Sequence, residues 1–168
     1  MKDEKAILEE RAQRIIGKKD IEKVDNAEKI SVVEFMLMPE RYAIEEKYIS
    51  EVFFLKEITS IPGTPAFVMG VINLRGKIIS VINLKILFNL KERGLTDLNK
   101  VIVLQNDNMQ FGIVSDAIVG SKTIAISNLS PPPLTLGNNG AEFISGVTPD
   151  GLILLNASVL LSSNKIII

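Results

Sequence analysis

The chain has 168 residues and a net charge of −1, from 19 basic and 20 acidic side chains, with 46% apolar and only 5% aromatic residues. It contains no cysteine, histidine or tryptophan. That removes disulfides, thiolate metal sites, cysteine nucleophiles and the commonest general base, while the balanced charge leaves no overall footprint for nucleic acid.

In chain order, the opening Met1-Lys2-Asp3-Glu4-Lys5 is charged rather than apolar, and no apolar run approaches about 18 residues. The expectation is a cytoplasmic protein without a secretory signal or membrane span. Residues 3–16 read as an amphipathic helix, with Ile7, Leu8, Ala12, Ile15 and Ile16 at helical spacing and Gly17 placed to end it. Lys18 to Asn26 reads as a polar linker, so residues 1–28 form a charged arm and 29–168 the folded body.

From Lys29 the period changes to that of strands. Ser31–Met38, Tyr42–Glu46 and Ile49–Ile58 are the first three, followed by a loop, Thr59 to Pro65, in which two prolines and a glycine forbid a regular ladder. Phe67–Leu74 and Lys77–Ile82 flank Arg75-Gly76, a tight hairpin turn in which Gly76 can take positive φ. Asn83 is placed to cap a short helix through about Leu90. After a loop over 94–99, Val101–Leu104 and Met109–Val114 form a hairpin around Asn106-Asp107-Asn108. Ile118–Ile126 is a strand bent at Gly120, and residues 128–142 form a long loop. Ile144–Thr148 and Leu152–Leu155 flank Pro149-Asp150-Gly151, and Asn156 caps a terminal helix through about Leu161.

About ten short strands at this spacing argue for an all-β barrel or a pair of barrels. The chain also repeats a pattern. Gly70-Val71, a turn ending in Gly76, an apolar strand and Asn83 correspond to Gly146-Val147, a turn ending in Gly151, an apolar strand and Asn156. Two such units suggest two similar barrels, each plugged by a short helix.

Charge is unevenly distributed. Sixteen of the 39 charged residues lie in the first 30 positions, whereas residues 101–168 hold six: Asp107, Asp116, Lys122, Glu142, Asp150 and Lys165. Two readings fit so neutral a half: a docking face for another protein, or a β-rich half whose exposed positions are Ser, Thr, Asn and Gln.

No catalytic constellation emerges. Asn106-Asp107-Asn108 lacks the spacing and closing glutamate of a calcium loop, and a tight turn explains it better. Serines have no histidine partner and no nucleophile-elbow turn. Carboxylate pairs at Glu45-Glu46, or Glu51 with Glu57, read as solvated strand faces. Arg75 at an otherwise apolar hairpin tip is either a plain turn residue or a fixed fork for a carboxylate, on a partner or on a neighbouring strand such as at Glu51. A small-molecule barrel with Glu51 and Arg75 at its mouth is the competing reading.

The run Ile61 to Gly76, with its Pro62-Gly63-Thr64-Pro65 and Asn73-Leu74-Arg75-Gly76 segments, strongly resembles the CheW family of chemotaxis coupling proteins. Glu51-Val52, Phe111 to Asp116, Leu129 to Pro133 and Ile144 to Val147 match that family's order and spacing, so the resemblance covers about Lys29 to Ser162. Asn83 and Asn156 stand where the family often has aspartate. The resemblance implies two five-stranded SH3-like barrels around a shared apolar interior. It further implies a non-catalytic adaptor, without cofactor or metal, that joins chemoreceptor cytoplasmic tips to the regulatory domain of the histidine kinase CheA. It would reach the membrane only through those protein partners. The strand matching Ile49, Glu51 and Phe53, and the hairpin matching Val71, Asn73, Arg75, Gly76 and Ile78, would contribute to kinase and receptor contacts. The segment matching Gly112, Val114, Asp116 and Ile118 would help line the groove between barrels. A coupling domain serving another two-component pathway stays open as an alternative.

Overall fold

Among the described residues ten strands divide equally between two sheets. A computed structural model describes residues 28–91, 98–132 and 140–166. The expected N-terminal helix and linker, most of the 94–99 loop and the middle of the 128–142 loop lie outside the described residues. The strands are β1 (Lys29–Leu37), β2 (Glu40–Glu45), β3 (Ile49–Phe54), β4 (Val68–Leu74), β5 (Lys77–Ile82), β6 (Lys100–Gln105), β7 (Gln110–Ser115), β8 (Ala117–Ala125), β9 (Ile144–Val147) and β10 (Ile153–Leu155). Two short helices follow β5 and β10: α1 (Leu84–Leu87) and α2 (Ala157–Ser162).

The first sheet has the order β8-β1-β2-β10-β9, the second β3-β6-β7-β5-β4. Each is built the same way. A central antiparallel hairpin (β1–β2 or β6–β7) joins through one parallel contact (β2 with β10, β7 with β5) to a second hairpin (β10–β9 or β5–β4). The chain lays down β1–β2, leaves to build the whole second sheet from β3 to β7, and returns with β8 to β10. The two halves are therefore intertwined and cannot be separated by cutting the chain once.

Each sheet closes on itself through the segment after its first edge strand. Thr59, beyond β3, exchanges two backbone hydrogen bonds of 2.9 Å with Val71 on β4. Ser130, beyond β8, does the same with Val147 on β9 at 2.9 and 2.8 Å. This explains the repeated Gly-Val pattern. A Cβ on Gly70 would meet Thr59 O at 2.2 Å, and one on Gly146 would meet Ser130 O at 2.9 Å. Only glycine lets the closing backbone approach so near.

Alternation along the strands serves three apolar layers. Ile72, Ile79, Val81, Val101, Val103 and Val114 fill one barrel, and Val32, Ala43, Ile124, Leu152 and Leu154 the other. The opposite faces of the same strands, including Tyr42 and Ile44, Ile102 and Leu104, Phe111 and Ile113, and Ile153 and Leu155, meet in one shared core. Strands buried on both faces must be apolar at every position, which accounts for runs such as Val101 to Leu104. Phe35, Tyr42, Phe88 and Phe143 form a chain of rings with centroids 6.1 to 6.3 Å apart through that core. Burial, with Glu40 adding a smaller like-charge effect, pushes the Tyr42 phenol up to about 12.

Three expectations change in the structure. The third segment stops at Phe54 rather than continuing to Ile58: Leu55 N donates the last ladder hydrogen bond to Asn99 O, and Thr59 is taken by the seam. The helices do not plug separate barrels either: Leu84, Phe88, Ala157, Leu160 and Leu161 all belong to the shared core. Both asparagine caps form, with Asn83 Oδ1 accepting from Lys85 N and Asn156 Oδ1 from Val159 N. Helix α1 ends early because Asn89 adopts φ 58° and Leu90 N donates back to Lys85 O, a left-handed closure of the last turn.

Candidate partner-binding surface

Arg75 and Gly76 occupy the two central positions of the β4–β5 turn at φ 53° and 83°. Both are positive, as the twist-compatible two-residue turn requires. Asn73 Oδ1 accepts the Gly76 N–H at 2.9 Å and braces the turn. The guanidinium thus projects from a rigid tip. Its Nη2 lies 3.0 Å from Glu51 Oε2 on β3, while the Arg75 side chain stays 84% exposed and that of Glu51 only 22%. The second carboxylate oxygen, Glu51 Oε1, is buried and accepts no hydrogen bond among the described residues. Glu51, Phe53, Lys56, Ile72, Leu74 and Arg75 are among the residues lining a cavity of about 280 Å³ there. The exposed Arg75 fork, anchored on the half-buried Glu51, suits recognition of a polar group beside apolar side chains.

The remaining residues singled out from sequence divide into two sets. Asn73, Gly76 and Ile78 are exposed, Ile78 to 69%. Val71 is half-buried and bound into the seam. Ile49 packs against the shared core and Phe53 against the interior of its barrel. Gly112 and Val114 are buried, and a Cβ on Gly112 would meet Val101 Cγ1 at 2.6 Å. Ile118 is half-buried against the shared core. The Asp116 carboxylate accepts from Met38 N at 2.7 Å and pairs with Lys85 at 2.6 Å, so it is engaged inside the protein.

On β3 the side chains that reach the surface are the even-numbered ones, Ser50, Val52 and Phe54. The Lys100 ammonium lies 5.1 Å from the Phe54 ring centroid. Alternation alone names two faces without choosing between them, and a register shift between Ile49 and Glu51 against β6 sets which one turns inward.

The CheW-like domain model matches residues 31–165. The chain belongs to that family. Similar proteins include the chemotaxis protein CheW of Treponema pallidum, 32% identical over 148 residues covering 84% of this chain and 87% of that one. Protein FrzA of Myxococcus xanthus is 29% identical over 130 residues, covering 74% and 81%. Among solved structures, the scaffolding protein TtCheW of Thermoanaerobacter tengcongensis superposes with a TM-score of 0.71 at 31% identity, covering 82% of this chain and 96% of that one. Two SH3-like barrels around a common interior, expected from the resemblance, agree with this neighbour.

This CheW-like chain carries a second seam contact that sequence reading missed. In the other barrel the edge strand β8 supplies Lys122 and the β9–β10 turn supplies Asp150, with Nζ 3.4 Å from Oδ2. The elements correspond to those of Glu51 and Arg75, with the charges exchanged. Arg41 Nη2 donates to Asp150 O at 2.6 Å and approaches Oδ2 at 3.4 Å, while its Nη1 lies 3.6 Å from Glu34. Thr148 Oγ1 donates to Asp150 Oδ1. The Thr148 hydrogen bond, with help from Lys122, holds the Asp150 carboxyl at about 2, below its ordinary 3.8. The signal was present in the repeated Gly-ended turns, but only the strand pairing shows which edge residue each tip faces. Among the described residues no group of three or more acidic side chains could hold a metal, and no helix is long and apolar enough to cross a membrane.

Proposed function

We propose that this CheW-like protein is a non-catalytic scaffold of chemotaxis signalling that couples the cytoplasmic tips of chemoreceptors to the regulatory domain of the histidine kinase CheA. The observation that carries the reading is the ion pair between Glu51 on β3 and the exposed Arg75 on the β4–β5 turn, with Val52 and Phe54 exposed on β3 and Ile78 exposed on β5. Exposed apolar side chains exclude water around an oriented charge, which is the makeup of a small protein–protein contact. The barrel interiors are filled by their own side chains, which argues against a ligand-holding barrel.

Docking works here with no bond made or broken. Contacts at or below the roughly 800 Å² per partner of a standard interface suffice for such docking. Many such contacts in a receptor cluster raise the effective concentration and let receptor state bias the kinase. Arg75→Glu tests this directly. The variant is expected to stay folded and to drop out of co-sedimentation with receptor arrays and kinase. Co-sedimentation equal to wild type overturns the role given to Arg75. A pull-down that recovers a different kinase would assign the same scaffold to another pathway.

A further inference from the structure

Asp116 is the one residue between β7 and β8, where the chain passes from one sheet to the other. On the side of the first sheet, its N–H donates to Met36 O at 2.9 Å and its Oδ2 accepts from Met38 N at 2.7 Å. On the side of the second, Oδ2 lies 2.6 Å from Lys85 Nζ, at the start of α1, and Oδ1 accepts from Asn99 Nδ2 at 3.2 Å. Asn99 also donates to Ser115 O at 3.1 Å, and Ser115 Oγ to Lys100 O at 3.2 Å. The Lys85 side chain is only 7% exposed. A lysine so buried is held by its partner, because an unpaired ammonium out of water is strongly disfavoured.

Apart from the Tyr42 phenol, the shared core between the barrels is built of apolar side chains. Apolar contact has no preferred direction, so by itself it fixes the angle between two curved sheets less sharply than directional bonds do. Hydrogen bonds and a close ion pair are directional, and this set reaches into both sheets from one residue.

We propose that Asp116 and Lys85 are positioning residues: their ion pair sets the angle between the two barrels and so allows surfaces on both to engage different partners at once. The inference rests on the scaffold reading for its functional half, and its geometric half stands alone.

The absence of cysteine makes the test clean. Asp107→Cys, at the β6–β7 turn, and Thr123→Cys, on β8, place one spin label on each barrel at exposed positions. Pulsed dipolar spectroscopy should give one narrow distance distribution in the otherwise wild-type protein. Lys85→Met keeps the aliphatic bulk and removes the charge, and the distribution should broaden or move. Should that variant fail to fold, Asp116→Asn, which retains an acceptor for Met38 N, reads out the same distance. Lys85→Met is further expected to bind an isolated receptor tip or kinase regulatory domain within about twofold of wild type, but to bridge the two about a hundredfold less well.

A distribution unchanged in both variants overturns the inference whatever the partners do. Bridging by Lys85→Met equal to wild type overturns its functional half. A wild-type protein that binds neither partner sinks the scaffold reading and leaves the distance result to decide the geometry.

Discussion

Arg75 Nη2 lies 3.0 Å from Glu51 Oε2 and thereby ties β4 to β3, the two outer strands of one sheet. The pair spans the seam of a barrel, and the Arg75 guanidinium stays exposed there. Because Arg75 is mostly in solvent, its contribution to folding is modest, about 0.2–1 kcal/mol for an exposed pair. A double-mutant cycle of Glu51→Gln and Arg75→Ala should return a coupling energy within that range by urea denaturation. Both single variants should weaken partner binding far more than they weaken the fold.

The seam depends on backbone approach as well as charge. Gly70 stands at φ 143° with Thr59 O 2.2 Å from where a Cβ would be, whereas Gly76 at φ 83° faces open space. Gly70→Ala should therefore lower stability by about 3 kcal/mol or more, through a displaced closing segment and strained φ. Gly76→Ala should cost about 1 kcal/mol, from φ alone. Chemical denaturation midpoints of the two variants compare them directly, and equal losses would show that the Thr59 approach is not limiting.

Asp150 makes the second seam sensitive to acid. Its carboxyl titrates at about 2 rather than 3.8, chiefly because Thr148 donates to the ionised form. A depressed folded-state value means that this group stabilises the fold above about pH 4 and loses that contribution as pH falls toward 2. Solvent around Asp150 keeps the effect small. The stability gap between wild type and Asp150→Asn should be full at pH 7, shrink between pH 4 and pH 2, and vanish below it. Urea midpoints across that range check the sign.

Phe88 is the ring through which α1 enters the shared core, with centroids 6.1 Å from Tyr42 and 6.3 Å from Phe143. Phe88→Ala should cost about 3–5 kcal/mol, the usual loss for an aromatic truncated in a packed core. Because Tyr42 belongs to one sheet and α1 follows the other, unfolding should remain a single transition. Two separate transitions by calorimetry would mean that the barrels fold independently.

The local elements were legible in the sequence because they depend on neighbours along the chain. Turn residues such as Arg75-Gly76 and Asp150-Gly151, the caps at Asn83 and Asn156, the bend at Gly120 and the alternating apolar runs each announce themselves within a few positions. The family motifs between Ile61 and Gly76 added the two-barrel arrangement and the scaffold role by resemblance. Even the Glu51–Arg75 contact was open to anticipation, since a lone arginine on an apolar tip calls for an acceptor.

What the sequence could not decide is which face of each strand turns inward, because alternation offers two faces and the choice depends on pairing with a distant strand. Phe53 and Val114 were candidates for contact and lie inside a barrel, while Val52 and Phe54 reach the surface. Lys85 and Asn99 carry no local sign of their partner. They meet Asp116 only because the chain crosses between sheets at that residue. The pattern of side chains along ten strands determined that there would be barrels. The register of those strands against one another, fixed by burial on both faces at once, decided what each side chain does.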